Sequence, residues 1–445
     1  MPTRAPLPAT FEGDVLLPDS PGYDAARAVW NGAVDRRPAY VVRCAGTDDV
    51  RTAVRVAREL GLPLGVLCGG HSAAGWAVPD GGLMIDLSRM RGVVVDPGAR
   101  TAQVQGGALL GSLDAATQPY GLGTTAGIVS HTGIGGLALG GGVGWLARQL
   151  GLTCDNVLGY EVVTAEGGLV RATAAENPDL FWGLRGGGGN FGVVTRFDLA
   201  LHDVGTQALT AEVDLDPAGG LDALRTWLAL AQDAPRRATV VADVRAGGPL
   251  TLGFVWVGAP DEAGPLVARL DALGTPLARR VTPMSYLDLQ RRSDAATAHG
   301  SRRYAKSHYV RELPDAALEA FLAHAEADVG GADLVAYGGA IADVAPDATA
   351  FAHRDAWFEY GVGAAWDDPA DDERRAATCR RLAASIEPWS VGVYVNALGA
   401  EGAARVQRAY GAATYARLQQ VKSAWDPDNV FRLNQNVPPA EASAT

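Results

Sequence analysis

Apolar and polar residues change their period along this chain, and the changes mark its elements. Ala39-Tyr40-Val41-Val42-Arg43 alternates as a half-buried strand does. Thr47-Asp48-Asp49 then supplies an N-cap and an acidic first turn for a helix whose apolar positions Val50, Val54, Val56 and Ala57 run toward Gly61. A short apolar strand, Leu64-Gly65-Val66-Leu67, follows and delivers a glycine turn, so the chain opens with a strand–helix–strand unit. Glycine or proline bounds three more strands, Gly82–Leu87, Gly92–Asp96 and Thr101–Gln105, and a helix is predicted from Ala108 to Gln118. Strands return at Asn156–Ala165 and Gly192–Leu201, with Pro178–Arg185 and the glycine cluster Gly186–Gly189 between them.

The character of the chain shifts near Val204-Gly205-Thr206. Beyond it, strands such as Ala238–Ala242 and Leu250–Val257 alternate with helices that carry acidic surfaces, for example Pro314–Ala327. Arg303, Tyr304, Lys306 and His308 form a polar cluster on another strand, and Tyr394 and Asn396, two apart on a strand, share one face. A helix covers Ala404–Ala424. The division expected is residues 1–205, a second α+β unit over 206–400, and a C-terminal segment, 401–445.

At 445 residues, 48% hydrophobic and 20% charged, the chain belongs with soluble globular proteins large enough for two domains. No run of 18 apolar residues reads as a membrane span, and the net charge of −12 argues against nucleic acid as a partner. The stretch Met1–Pro6 shows no charged-then-apolar export pattern, which leads us to expect a cytoplasmic protein. Four widely separated cysteines without a CxxC pair point to structural thiols and to no metal centre.

The chemistry concentrates in glycine turns. Cys68-Gly69-Gly70-His71-Ser72 sets a histidine in one, and Gly133-Ile134-Gly135-Gly136 runs on to Gly140-Gly141-Gly142-Val143-Gly144 in another. Glycines this dense let the main chain approach a ligand and turn its N–H groups toward negative charge, as a pyrophosphate requires. A nicotinamide fingerprint needs a strand directly before the glycines and an acid about twenty residues on, a context Gly135–Gly144 lacks.

Five motifs in order then carry a resemblance over nearly the whole chain: Gly69-Gly70-His71-Ser72, Gly82–Leu87, Ala126–Gly144, Arg185–Val194, and Asp426-Pro427-Asp428-Asn429 through Asn434-Gln435-Asn436. In these the chain resembles the flavin-linked oxidoreductases of the vanillyl-alcohol oxidase / PCMH superfamily, and among them the berberine-bridge-enzyme-like branch. The resemblance implies an α+β fold in which both chain ends build a PCMH-type FAD-binding domain and the middle supplies a substrate domain with an antiparallel sheet and helices. It implies FAD attached by one covalent bond through His71. Many relatives add a cysteine bond to the flavin, but that position is Val129 here, and Leu67-Cys68 stands where the family often has an arginine and a small residue. Contacts to FAD are implied for Leu67, Cys68, Gly69, Gly70 and Ser72 in the first loop, and for Gly127, Val129, Thr132, Gly135, Gly136, Gly140 and Gly142 in the second. Gly192, Val193, Asn434 and Asn436 complete the set, with a turn carrying amide caps the other reading for the two asparagines.

Relatives place a Tyr-x-Asn facing the flavin, which makes Tyr394 and Asn396 candidate catalytic residues; Tyr394, with a lowered pKa, takes a substrate proton in this reading, against a plain buried tyrosine in the other. Tyr304 and Lys306 either reach the pocket or lie on a solvated sheet face, His131 either touches the cofactor or makes a structural hydrogen bond, and His353-Arg354 reads as surface or packing. The implied activity is oxidation of a small organic alcohol or amine, with O2 accepting the electrons and giving peroxide, by a monomer or homodimer. A dehydrogenase using another acceptor and a non-catalytic flavin-binding protein remain the alternatives.

Overall fold

The computed structural model describes residues 7–328 and 330–441, so the Met1–Pro6 stretch lies outside the described residues. Three main sheets and their covering helices give an α+β architecture. The first sheet pairs Tyr40–Arg43, Leu83–Asp86 and Leu64–Leu67 in parallel and adds Asp14–Leu16 antiparallel at one edge. Helix Thr47–Glu59 crosses over this sheet, burying Val50, Ala53, Val54, Val56 and Ala57 against it. Its cap differs from the expectation in detail: the buried Asp49 turns back to accept the N–H groups of Ala45 at 2.9 Å and Glu12 at 3.0 Å, while Thr47 donates to Glu161.

A second, antiparallel sheet runs in the order Val93–Asp96, Thr101–Gln105, Val193–Ala200, Val157–Val163, Leu169–Ala172. Its core cluster joins Val104, Tyr160 and Phe197 to Tyr410, Leu418, Val421 and Val437, so the last stretch of chain packs against strands laid down before residue 201. The third sheet has eight antiparallel strands between residues 207 and 392. Helices Gly220–Asp233, Asp315–Leu322 and Asp372–Ile386 cover one face, where Trp227, Phe254, Phe321 and Tyr360 form the core. The other face packs on elements from the first two hundred residues, bringing Tyr309 and Tyr337 against Ala147, Leu152 and Cys154.

Two predicted elements are corrected. The helix expected over Ala404–Ala424 is two helices, Ala403–Tyr410 and Ala412–Trp425, because Gly411 between them takes φ 69°. The strand expected at Val393–Asn396 ends at Gly392; a register shift breaks its ladder with Arg302–Val310, and Val395–Ala397 folds into a 3-10 turn. The four cysteines are free. Among the described residues no helix is long and apolar enough to cross a membrane.

Candidate active site

Strand Leu64–Leu67 ends in a turn that projects Cys68 to Ser72 into a cleft of about 380 Å3. The turn depends on glycine twice. Gly70 has φ 69°, in the left-handed region, and Gly69 lies so close to the second loop that a Cβ there would sit 2.3 Å from the Gly133 nitrogen. The opposite wall comes from Thr132–Leu139, the rear from Gly188–Val194, and the far end from Phe431–Gln435. Of the residues named from sequence, Cys68, Gly69, Gly70, His71, Ser72, Thr132, Gly135, Gly136, Gly192, Val193, Asn396 and Asn434 line this one cleft.

The others stand behind it. Leu67 packs into the small cluster around Tyr23 and Val41. The Gly127 carbonyl accepts a hydrogen bond from Gln290, and the Val129 carbonyl accepts the Thr132 N–H. Gly140 supports Asn396, whose Oδ1 would be 2.0 Å from a Cβ at that glycine, and the Gly142 N–H donates to the Tyr394 hydroxyl at 3.1 Å. Asn436 lies just past the lining, its Oδ1 buried without a partner. Tyr304 is a correction: the period-two alternation of strand Arg302–Val310 turns it, with Lys306 and His308, to the helix-covered face. There Tyr304 carries the Arg380 guanidinium 5.8 Å from its ring centre, Lys306 pairs with Glu401, and His308 bonds Ser390 and the Ala383 carbonyl.

Tyr394 and Asn396 meet although they do not share a strand. The Asn396 amide donates to the Tyr394 hydroxyl at 2.9 Å and to the Leu137 carbonyl at 3.1 Å. Burial, and next the nearby Glu359, raise the Tyr394 pKa, so the lowered value expected from sequence is corrected: the phenol keeps its proton at neutral pH. With its oxygen accepting from Gly142 and Asn396, that proton is free to be donated.

The histidine turn is more elaborate than its sequence. His71 stacks on Trp30 with ring centres 5.0 Å apart, and its Nε2 lies 2.7 Å from His131 Nδ1. His299 meets the His71 ring edge-on at 5.4 Å. Burial first, then the neighbouring His131, His299 and Arg303, hold the His71 pKa down to about 3, so the imidazole is neutral at pH 7. The Cys68 thiol is pushed up to about 11 by burial and donates toward the Ala108 carbonyl, which favours packing over reactivity. Arg354, read as surface or packing, is buried and paired with Asp155 at 2.6 Å.

Trp30, His299, Glu359 and Asp333 carried no signal in the sequence. Trp30 precedes the first predicted strand, and His299 arrives from the far side of the chain on a loop tied to Trp30 through its indole N–H to the Thr297 carbonyl. Glu359 lies opposite Tyr309 in the large sheet and accepts the Tyr337 hydroxyl at 2.5 Å. Burial raises both Glu359 and Asp333 to about 7.

The cleft suits FAD on its own evidence. A Cβ added at Gly136 or Gly189 meets nothing within 4 Å, so two bare stretches of main chain face the cavity. Asn434 spends its amide N–H groups on the Gly189 and Phe431 carbonyls, while its buried Oδ1 is left to accept from a ligand.

Comparison with known proteins agrees. Residues 38–173 match the family model described as "FAD binding domain", and residues 393–438 match "Berberine and berberine like". The chain is 31% identical over 465 residues to (R)-6-hydroxynicotine oxidase of Paenarthrobacter nicotinovorans, covering 99% of each chain. It is 31% identical over 428 residues to an FAD-linked oxidoreductase of Dictyostelium discoideum, covering 93% of this chain and 91% of that one. The crystal structure of 6-hydroxy-D-nicotine oxidase from Arthrobacter nicotinovorans superposes with a TM-score of 0.88 at 29% identity, over 97% of this chain and 99% of the other. A cleft that suits FAD, lined from both ends of the chain, and sequence kinship along its whole length converge: the chain belongs to the berberine-bridge-enzyme-like family of FAD-linked oxidoreductases.

Proposed function

We propose that this oxidoreductase holds FAD by a single covalent bond from His71, takes hydride from a small organic amine or alcohol, and passes the electrons to dioxygen to give hydrogen peroxide. The observation that carries the reading is the setting of His71: a neutral imidazole on the cleft wall, stacked on Trp30 and hydrogen-bonded to a second histidine. The flavin, when bound, supplies the two-electron chemistry. The chain supplies binding and proton handling. Asn434 offers its open Oδ1 to a ligand N–H, and the bare faces of Gly136 and Gly189 allow close approach. Tyr394, oriented by Gly142 and Asn396, turns its free hydroxyl toward the substrate heteroatom as a hydrogen-bond donor that positions it and keeps its own proton. Glu359, which titrates near neutrality, has the proton affinity of a general base at physiological pH and reaches this side through Tyr337.

Glu359 and Asp333 also bear on the substrate. Two carboxyls on the sheet face they share with Tyr309, the face away from the covering helices, favour a basic nitrogen over a neutral alcohol. The relative named for (R)-6-hydroxynicotine supports the same class.

The test is acid precipitation of the purified protein, with absorbance and intact mass of the pellet, followed by a screen of amines and alcohols for peroxide release. A yellow pellet carrying one FAD and peroxide with an amine are expected. Flavin found only in the supernatant removes the covalent bond from the proposal; flavin bleaching without peroxide assigns the electrons to another acceptor.

A further inference from the structure

The His71–His131 contact has a direction. His71 Nδ1 lies 3.3 Å from the Thr132 hydroxyl, a donor, and His71 Nε2 lies 2.7 Å from His131 Nδ1. With Thr132 donating, His71 carries its lone pair on Nδ1 and its proton on Nε2, and that proton points at the His131 lone pair. The far nitrogen of His131, Nε2, is buried and has no hydrogen-bond partner, so nothing else among the described residues competes for this ring. The groups facing His71 are His131, His299 and Arg303, with Trp30 stacked on its flank. None is an acid. A positive charge formed on His71 therefore meets no counter-ion, and His131 is the one hydrogen-bonded acceptor through which it can leave.

We propose that His131 is the positioning residue for flavin attachment: it fixes the His71 tautomer with the lone pair on Nδ1, where only the long contact from Thr132 has to be given up, and takes the Nε2 proton as the imidazole bonds to the flavin 8α carbon. The inference rests on the covalent reading given above. In the step, one N–C bond forms while the methyl carbon loses a C–H proton and His71 loses its N–H proton. The electron pair of the broken C–H bond stays in the isoalloxazine until dioxygen removes it, with two protons, as hydrogen peroxide. Because His71 is already neutral at pH 7, no imidazolium has to be deprotonated before the bond forms.

The experiment follows acid-stable flavin, by pellet fluorescence and intact mass, in full-length protein as purified and during incubation with added FAD. Wild type, His71→Ala, His131→Ala and His131→Asn are compared between pH 6 and 9. We expect His71→Ala to hold flavin without any covalent fraction. Both His131 variants should bind flavin but attach it about 10²-fold more slowly, with exogenous imidazole restoring the rate in His131→Ala in proportion to its neutral form. Two outcomes overturn the inference alone: attachment at the wild-type rate in either folded His131 variant, or slow attachment that imidazole does not rescue and whose pH profile matches wild type. Wild type without acid-stable flavin instead overturns the covalent reading, and this inference with it.

Discussion

Replacing Gly136 by alanine separates the cleft's role in cofactor binding from its role in the fold. Gly136 sits in helix Ile134–Leu139, is exposed and lines the cleft, and a Cβ there meets no atom within 4 Å. In the flavin-free protein the substitution removes the entropic cost of a helical glycine, a gain of about 0.5–1 kcal/mol. With FAD seated against the bare main chain, the same methyl group has to displace the ligand or the wall, a cost of about 1–3 kcal/mol. Affinity should therefore fall about 5- to 150-fold while flavin-free stability rises. The assay places the change in a His71→Ala background, so that binding is reversible, and titrates FAD by fluorescence quenching beside thermal unfolding without FAD. Gly219, equally open to a Cβ and located in the Pro217–Gly219 turn, provides a Gly219→Ala control that should leave FAD affinity unchanged. Undiminished affinity in Gly136→Ala would refute the assignment of this wall to the cofactor, and lost stability without FAD would refute the claim that the space is free.

Three further outcomes follow from buried groups. Lys422 and Asp426 are both 0% exposed and bonded at 2.6 Å, with Lys422 also donating to the Asn190 and Phe431 carbonyls; Lys422→Met should cost about 3–5 kcal/mol in denaturant unfolding, and a loss below about 1 kcal/mol would show the pair to be dispensable. Burial raises Asp114, bonded to Gln290, from 3.8 to about 7. The folded state therefore favours its neutral form, and the stability it contributes is full below pH 3.8 and lost as pH rises toward 7. Asp114→Asn should gain stability over wild type across that window, and a difference independent of pH contradicts the shift. Tyr394→Phe should slow anaerobic flavin reduction by on the order of 10²-fold; an unchanged rate returns Tyr394 to packing.

The first two hundred residues were largely legible because their elements are local. Each strand there is a short apolar run bounded by glycine or proline, and the cleft's glycines announce themselves by density. What stayed hidden depends on distant pairing. Tyr304 and Tyr309 lie on one strand, and only the register Tyr309↔Glu359, together with the helices laid on the other face, decides which of them looks toward the flavin side. Trp30 and His299 come to His71 through hydrogen bonds between loops some 267 residues apart, which leave no periodic trace. Asn434, for which a capped turn and a ligand contact competed, does both: its amide caps Phe431 and Gly189, and its oxygen opens on the cleft.

The buried Lys422–Asp426 pair also sets a timetable. Its lysine holds the Asn190 and Phe431 carbonyls at once, so the rear and the far end of the cleft are drawn together by a residue synthesised long after His71. Strands before residue 201 can pair while translation continues, since domains begin to fold from their N-terminal side. The pocket itself cannot close until Phe431 to Gln435 have emerged from the ribosome. Loading of the cofactor into a closed cleft therefore waits for this segment, and a chain stopped between Ser72 and Phe431 has the His71 turn but lacks the far end of the cleft.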